Sequence, residues 1–64
     1  MDSVAADSEV NPCVEMVEAC GEWFVRIVEK DGRSSTRSFE HKDHAVSFAE
    51  GQRVRLGLDE VTRI

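Results

Sequence analysis

The pattern of hydrophobic and polar residues divides the chain into an unpatterned first stretch, three strand-like runs and one helix-like run. Residues 1–11 carry two isolated valines among small, acidic and polar residues, without a period of 2 or 3.6. Burial of so little apolar surface does not offset the conformational entropy that the segment would lose on becoming ordered. We therefore expect a disordered acidic arm over residues 1–11 and a single small α+β domain over residues 12–64.

The first two strand-like runs follow Pro12, one after the other. Residues 13–20 contain valines in imperfect alternation and end at a turn signal, Gly21-Glu22. Residues 23–29 predict the strongest strand, because all of them except Arg26 and Glu29 are aromatic or β-branched. Alternation then separates two faces of this second strand. The face expected to pack on a helix holds Trp23, Val25 and Ile27, and the opposite face holds Phe24, Arg26 and Val28.

A hairpin signal joins the second run to the third. Asp31-Gly32 tolerates the positive φ angles of a type I′ turn, which predicts a two-residue hairpin loop. Residues 34–39 return as a polar strand with a single apolar residue at its end, a composition that suits the edge of a sheet.

From Lys42 the period changes to that of a helix. The apolar stripe consists of Ala45, Phe48, Ala49 and Leu56, interrupted only by Gln52. Leu56-Gly57-Leu58 is typical of a glycine helix stop whose last leucine folds back to the core. A rival interpretation ends the helix at Gly51 and continues as a strand through Val54, Leu56 and Leu58.

These elements predict an α+β fold: a three-stranded antiparallel meander with one helix packed on one face. Residues 60–64 offer a possible short C-terminal strand, and short connections favour antiparallel neighbours. The predicted core consists of Trp23, Val25, Ile27, Phe39, Ala45, Phe48, Ala49, Leu56 and Leu58.

The charged residues, the cysteines and the lack of long apolar runs limit the partners and the cellular location that we expect. Residues 1–22 hold six acidic residues and no Lys or Arg, whereas all eight basic residues follow in residues 23–64. Cys13 and Cys20, seven apart on an extended strand, would lie on opposite faces about 23 Å apart, so we expect free thiols. No window approaches the ~20 apolar residues of a membrane span, and the first residues lack a secretion signal. We expect a cytoplasmic location without membrane contact.

The sequence offers little catalytic or cofactor chemistry. His41 and His44 lie three apart at the predicted helix start, but zinc requires three or four converging ligands. No nucleophile arrangement, phosphate-binding glycine loop or cofactor fingerprint is present. We expect no enzymatic activity, no cofactor, no metal site and no small-molecule substrate.

Two functional hypotheses remain. In the first, the domain is an interaction module that binds a protein or a second copy of itself through the sheet face or edge, with Phe24, Arg26 and Val28 at the contact. In the second, it is a nucleic-acid accessory protein that uses Arg26, Arg33 and Arg37, with Arg26 and Arg37 on the face away from the helix. The alternative for Phe24 is that a bulge or the C-terminal segment covers it within the monomer.

Residues 21–58 also carry a family resemblance. The layout is a Trp-x-Val-x-Ile strand, a Gly-Arg turn, a strand ending in Phe, and a helix; its residues are Trp23, Val25, Ile27, Gly32, Arg33, Phe39, Ala45, Phe48 and Ala49. It resembles the arm-type DNA-binding domains of phage-integrase-like recombinases, and also short bacterial domains of unknown role. The recombinase resemblance implies a sheet that enters the major groove, with contacts from Arg26, Arg33 and Arg37.

Overall fold

A computed structural model describes residues 11–64 of the protein. Its elements are β1 (Cys13–Ala19), β2 (Glu22–Val28), β3 (Ser34–Phe39), α1 (Lys42–Leu56) and β4 (Thr62–Arg63). The predicted α+β fold is confirmed: three antiparallel strands, one helix packed on the sheet and a short C-terminal strand. The predicted disordered arm falls, except for Asn11, outside the described residues.

The four strands form one sheet in the order β3-β2-β1-β4, so β3 lies at an edge as its polar composition predicts. β1 and β2 pair antiparallel, as do β2 and β3. The expectation of antiparallel neighbours is wrong for the last strand, because β4 runs parallel to β1. The helix carries the chain back across the sheet after β3, so β4 takes the direction that β3 and β1 share.

The two hairpin loops differ from the turn that the sequence predicts. Cys20 and Gly21 have φ angles of 55° and 81°, so the positive φ pair of a type I′ turn lies between β1 and β2. In the second hairpin only Gly32 has a positive φ, 91°. The N–H of Gly32 donates to the Glu29 carbonyl at 3.0 Å, and the N–H of Glu29 donates to the Arg33 carbonyl at 2.7 Å. This loop therefore has three residues and a glycine bulge, and the prediction of a type I′ turn at Asp31-Gly32 is wrong.

The core lies between the sheet and α1. Its buried residues are Val14, Met16, Val25, Ile27, Ala45, Ala49 and Leu56; Trp23, Phe39, Val46, Phe48, Leu58 and Val61 pack against them half-buried. All nine predicted core residues belong to this cluster. The prediction omits Val14 and Met16, because the apolar Val17 on the opposite face of β1 obscures the alternation.

The helix is continuous through Gly51, and the rival strand over Val54, Leu56 and Leu58 is wrong. Gly57 ends α1 in the left-handed conformation, with φ 72°. The N–H of Gly57 donates to the Val54 carbonyl at 3.1 Å, and that of Leu58 donates to the Arg53 carbonyl at 2.9 Å. These two bonds form a Schellman motif, which turns Leu58 back onto the core as predicted.

Candidate interaction surface

Within residues 11–64, no strand pairs with the side of β3 that faces away from β2. Every residue from Ser34 to Ser38 is exposed, on both faces of the strand. Its neighbour β2 occupies one side only, since β3 ends the strand order. Natural edge strands use proline and charged side chains, lysine above all, to discourage further pairing; β3 contains neither proline nor lysine, and Arg37 is its one charged residue.

The hairpin loop determines which backbone groups of β3 point outward. Glu29 and Arg33 form a hydrogen-bonded pair, because the Glu29 N–H donates to the Arg33 carbonyl. Hydrogen-bonded and non-hydrogen-bonded pairs alternate along an antiparallel ladder. The next pair, Val28 with Ser34, is therefore of the second kind. It follows that the N–H and C=O groups of Ser34, Thr36 and Ser38 point away from β2; we call these groups the β3 edge.

The three residues of the protein-binding hypothesis lie together on the sheet face away from α1, which we call the outer face. Phe24 is half-buried and lies opposite Val17 on β1 and Ser38 on β3. Val28, also half-buried, lies opposite Cys13 and Ser34. The outer face thus carries two apolar cross-strand pairs.

Neither arrangement considered for covering Phe24 occurs. β2 pairs with both neighbours in unbroken register, so it contains no bulge at Phe24. The C-terminal segment runs beside β1 at Glu15 and Met16, with the Ile64 N–H donating to the Met16 carbonyl at 3.0 Å. Ile64 itself is 75% exposed, and the segment lies on the side of β1 away from β2.

An ion pair lies between the apolar pairs of the outer face. Nη1 of Arg26 donates to Oε1 of Glu15 at 2.8 Å, and the two residues are direct cross-strand partners. Both side chains are partly accessible, so the pair contributes modestly to stability. It does compensate the positive charge of Arg26 locally.

The structure corrects the shared face assigned to Arg26 and Arg37. A two-residue loop at Asp31-Gly32 would pair these arginines across the outer face. The three-residue loop shifts the register by one and pairs Arg37 with Val25, which turns Arg37 to the helix side. There its guanidinium carbon lies 5.3 Å from the centroid of the Phe48 ring.

Arg33, the third arginine of the nucleic-acid hypothesis, lies in the loop and is paired with Asp31 at 2.8 Å. The backbone N–H of Arg33 also donates to Asp31, and this bond is the main cause that lowers the pKa of the Asp31 carboxyl. The structure therefore brings Phe24, Arg26 and Val28 together but does not bring Arg26, Arg33 and Arg37 to one face.

A bidentate ion pair joins the end of the sheet to the end of the helix. Nη2 and Nη1 of Arg55 donate to the two carboxylate oxygens of Glu29, at 2.7 and 3.2 Å. These hydrogen bonds lower the pKa of Glu29 and raise the pKa of Arg55. Because Glu29 begins the loop before β3, the pair helps to hold the start of the edge strand against the last turn of α1.

Cysteines and histidines lie apart from this surface. Cys13 begins β1, Cys20 lies in the turn directly after it, and both are free thiols. The rings of His41 and His44 stack edge to face with centroids 5.3 Å apart. Within residues 11–64, no three His, Cys, Asp or Glu side chains converge as metal ligands would. In the same range no helix is long and apolar enough to cross a membrane.

Comparisons with protein-family models, curated proteins and solved structures returned no match to this chain.

Proposed function

We propose that the protein is a non-enzymatic interaction module that adds an extended segment of another polypeptide to its sheet at the β3 edge. The observation that carries this proposal is the row of outward backbone groups at Ser34, Thr36 and Ser38, on a strand whose exposed residues leave the row accessible. An incoming strand would satisfy these donors and acceptors, as in other complexes formed by strand addition.

The outer face adds side-chain contacts to this backbone pairing. Ser34, Thr36 and Ser38 project to the outer face beside Val28, Arg26 and Phe24. Large side chains of a docked strand would lean over these small hydroxyl residues toward Phe24 and Val28, since diagonal neighbours in a sheet lie within reach of long side chains. The hypothesis that Phe24, Arg26 and Val28 take part in binding is kept in this form.

The direct test separates the backbone of Thr36 from its side chain. Thr36→Pro removes an N–H that makes no bond to β2, so the fold should survive, as proline is tolerated on the free side of edge strands. Thr36→Val keeps the N–H and replaces only the hydroxyl, by a methyl group of similar size. Ten-residue peptides selected by display against the wild-type protein should lose binding with Thr36→Pro, by about tenfold or more for a lost hydrogen bond with added steric conflict. They should retain binding with Thr36→Val.

Amide shifts on titrating a selected peptide should centre on Ser34, Thr36 and Ser38. Peptides that shift residues elsewhere and bind Thr36→Pro as well as wild type would disprove docking at this edge. Circular dichroism and cooperative unfolding of Thr36→Pro provide the control for folding.

The alternative function, nucleic-acid binding by Arg26, Arg33 and Arg37, has weaker support because these arginines lie on different surfaces and two of them are ion-paired. Its test is duplex-DNA binding by the double variant Arg26→Ala with Arg37→Ala. A wild-type complex that weakens steeply with salt and is lost in the double variant would favour this alternative.

We also propose that the module works in a reducing compartment such as the cytoplasm. The two free thiols, Cys13 and Cys20, support this assignment.

A further inference from the structure

We propose that the segment that docks at the β3 edge is β3 of a second copy, running antiparallel, with Thr36 of both copies on the two-fold axis. The inference rests on the proposed function and names its partner. Two antiparallel strands related by a two-fold axis normal to the sheet place residues of the same face opposite each other, so one residue lies opposite its own copy. The choice of register therefore reduces to which residue of β3 occupies the axis.

The outward backbone groups favour Thr36 at the centre. With Thr36 on the axis, Thr36 pairs with its copy and Ser34 pairs with Ser38 of the second copy, twice by symmetry. All of these residues direct their N–H and C=O groups outward. The register thus forms about six backbone hydrogen bonds. An axis at Ser35 or Arg37 would form about four within the bounds of β3.

Charge selects the same register. With Arg37 on the axis, two guanidinium groups would face each other directly, and with Ser35 on the axis Arg37 would face Arg33 of the second copy. Like charges directly opposite each other destabilise a strand pair. With Thr36 on the axis, Arg37 faces Ser35 instead. Of the three central registers, only the one at Thr36 separates the arginines and uses every outward group.

The helix leaves room for this approach. Ser35 and Arg37 point to the helix side of β3 and are both exposed, so α1 does not bury the helix-side residues of the edge strand. The pairing would continue the strand order of one copy into the other and extend the outer face with its Phe24 and Val28 across both copies. A contact made mostly of backbone bonds should be weak, with a dissociation constant of about 10 μM to 1 mM.

Disulfide scanning tests the partner and the register together. In a background with Cys13→Ala and Cys20→Asn, single cysteines replace Thr36, Ser35 or Arg37, and Glu50→Cys on the exposed face of α1 serves as a collision control. Opposed residues of a hydrogen-bonded pair lie ~5.5 Å apart between Cα atoms, within the ~4.4–6.8 Å that a disulfide spans. Under mild oxidation Thr36→Cys should form covalent dimers about tenfold faster than Glu50→Cys.

Neither Ser35→Cys nor Arg37→Cys should dimerise readily by itself, but an equal mixture of the two should cross-link, because these residues face each other. Sedimentation of the wild-type protein from about 10 μM to 1 mM should show reversible growth toward a dimer. Thr36→Pro should remain a monomer over the same range.

The outcomes distinguish the inference from the proposed function. Faster cross-linking of Arg37→Cys or Ser35→Cys alone would overturn the Thr36 register but retain docking at the β3 edge. A wild-type dimer in which no β3 cysteine exceeds the Glu50→Cys rate would overturn the second copy as the partner of the β3 edge, because the copies would then meet through another surface. A wild-type protein that stays monomeric at about 1 mM would overturn the second copy as partner, and the peptide experiment would then decide the proposed function alone.

Discussion

The first hairpin allows a stability prediction with a defined sign. Cys20 has a φ of 55° and is the only residue other than glycine with positive φ in the described part of the chain. The left-handed conformation costs an ordinary L-residue about 1–2 kcal/mol, and asparagine adopts it several-fold more often than most residues. A several-fold preference corresponds to about 0.6–1 kcal/mol at room temperature.

Cys20→Asn should therefore stabilise the fold by about 0.6–1 kcal/mol. Cys20→Gly relieves about 1–2 kcal/mol of backbone strain. Glycine also raises the conformational entropy of the unfolded chain, which destabilises the fold by about 0.4–1 kcal/mol, so the net stabilisation is smaller than the strain that is relieved. Cys20→Val, β-branched and poorly tolerated at positive φ, should destabilise it. Cys20 is exposed, so lost packing contributes little to any of these changes.

Equilibrium unfolding in urea, followed through the single tryptophan, measures these differences. Trp23 is half-buried against the core, with Nζ of Lys42 5.5 Å from its ring centroid, so its emission should report unfolding. With a slope of about 1 kcal/mol/M for a small domain, Cys20→Asn should raise the midpoint by roughly 0.6–1 M.

Gly57→Ala provides the control of opposite sign. Gly57 has a φ of 72°, and an added Cβ would meet nothing within 4 Å, so its cost is conformational rather than steric. We expect a loss of about 1 kcal/mol. If Gly57→Ala destabilises the protein as expected while Cys20→Asn and Cys20→Gly do not stabilise it, the left-handed assignment of Cys20 is refuted.

Three further predictions concern the core, the outer face and the ion pair. Met16→Ala should cost about 2–5 kcal/mol in urea unfolding, whereas Val54→Ala, 66% exposed, should change stability by less than about 0.5 kcal/mol; equal effects would contradict the burial assigned to Met16. Phe24→Glu should retain cooperative unfolding while Val25→Glu, fully buried, should abolish it, which circular dichroism would show. The pKa of Glu29 is lowered from its ordinary 4.5, so the charged Glu29 carboxylate stabilises the fold above about pH 4.5. This stabilisation is lost as the pH falls through the lowered pKa. Glu29→Gln should therefore flatten the fall in the free energy of unfolding below about pH 4.5, and an unchanged slope would contradict the pairing of Glu29 with Arg55.

Much of the candidate surface depends on details that the sequence indicates only in part. The polar composition of residues 34–39 predicts an edge strand, and alternation along β2 places Phe24, Arg26 and Val28 on one face. The outward direction of the backbone groups at Ser34, Thr36 and Ser38 follows from the three-residue hairpin loop between β2 and β3. The dipeptide Asp31-Gly32 alone does not determine the type of that loop. Dipeptides of this kind occur in two-residue turns and, with glycine as the bulge residue, in three-residue loops.

Local chemistry in the sequence determined the element order, the helix stop at Gly57 and most of the core, because periodicity and the freedom of glycine act over a few residues. Tertiary structure alone decided the register of β3 and hence the face of Arg37, since one residue more or less in a loop turns every side chain of a strand to the other face. It also decided the parallel pairing of β4 beside β1, the burial of Val14 and Met16, and the pairing of Arg55 with Glu29. Each of these joins residues distant in the chain, whose contact depends on how the helix crosses the sheet.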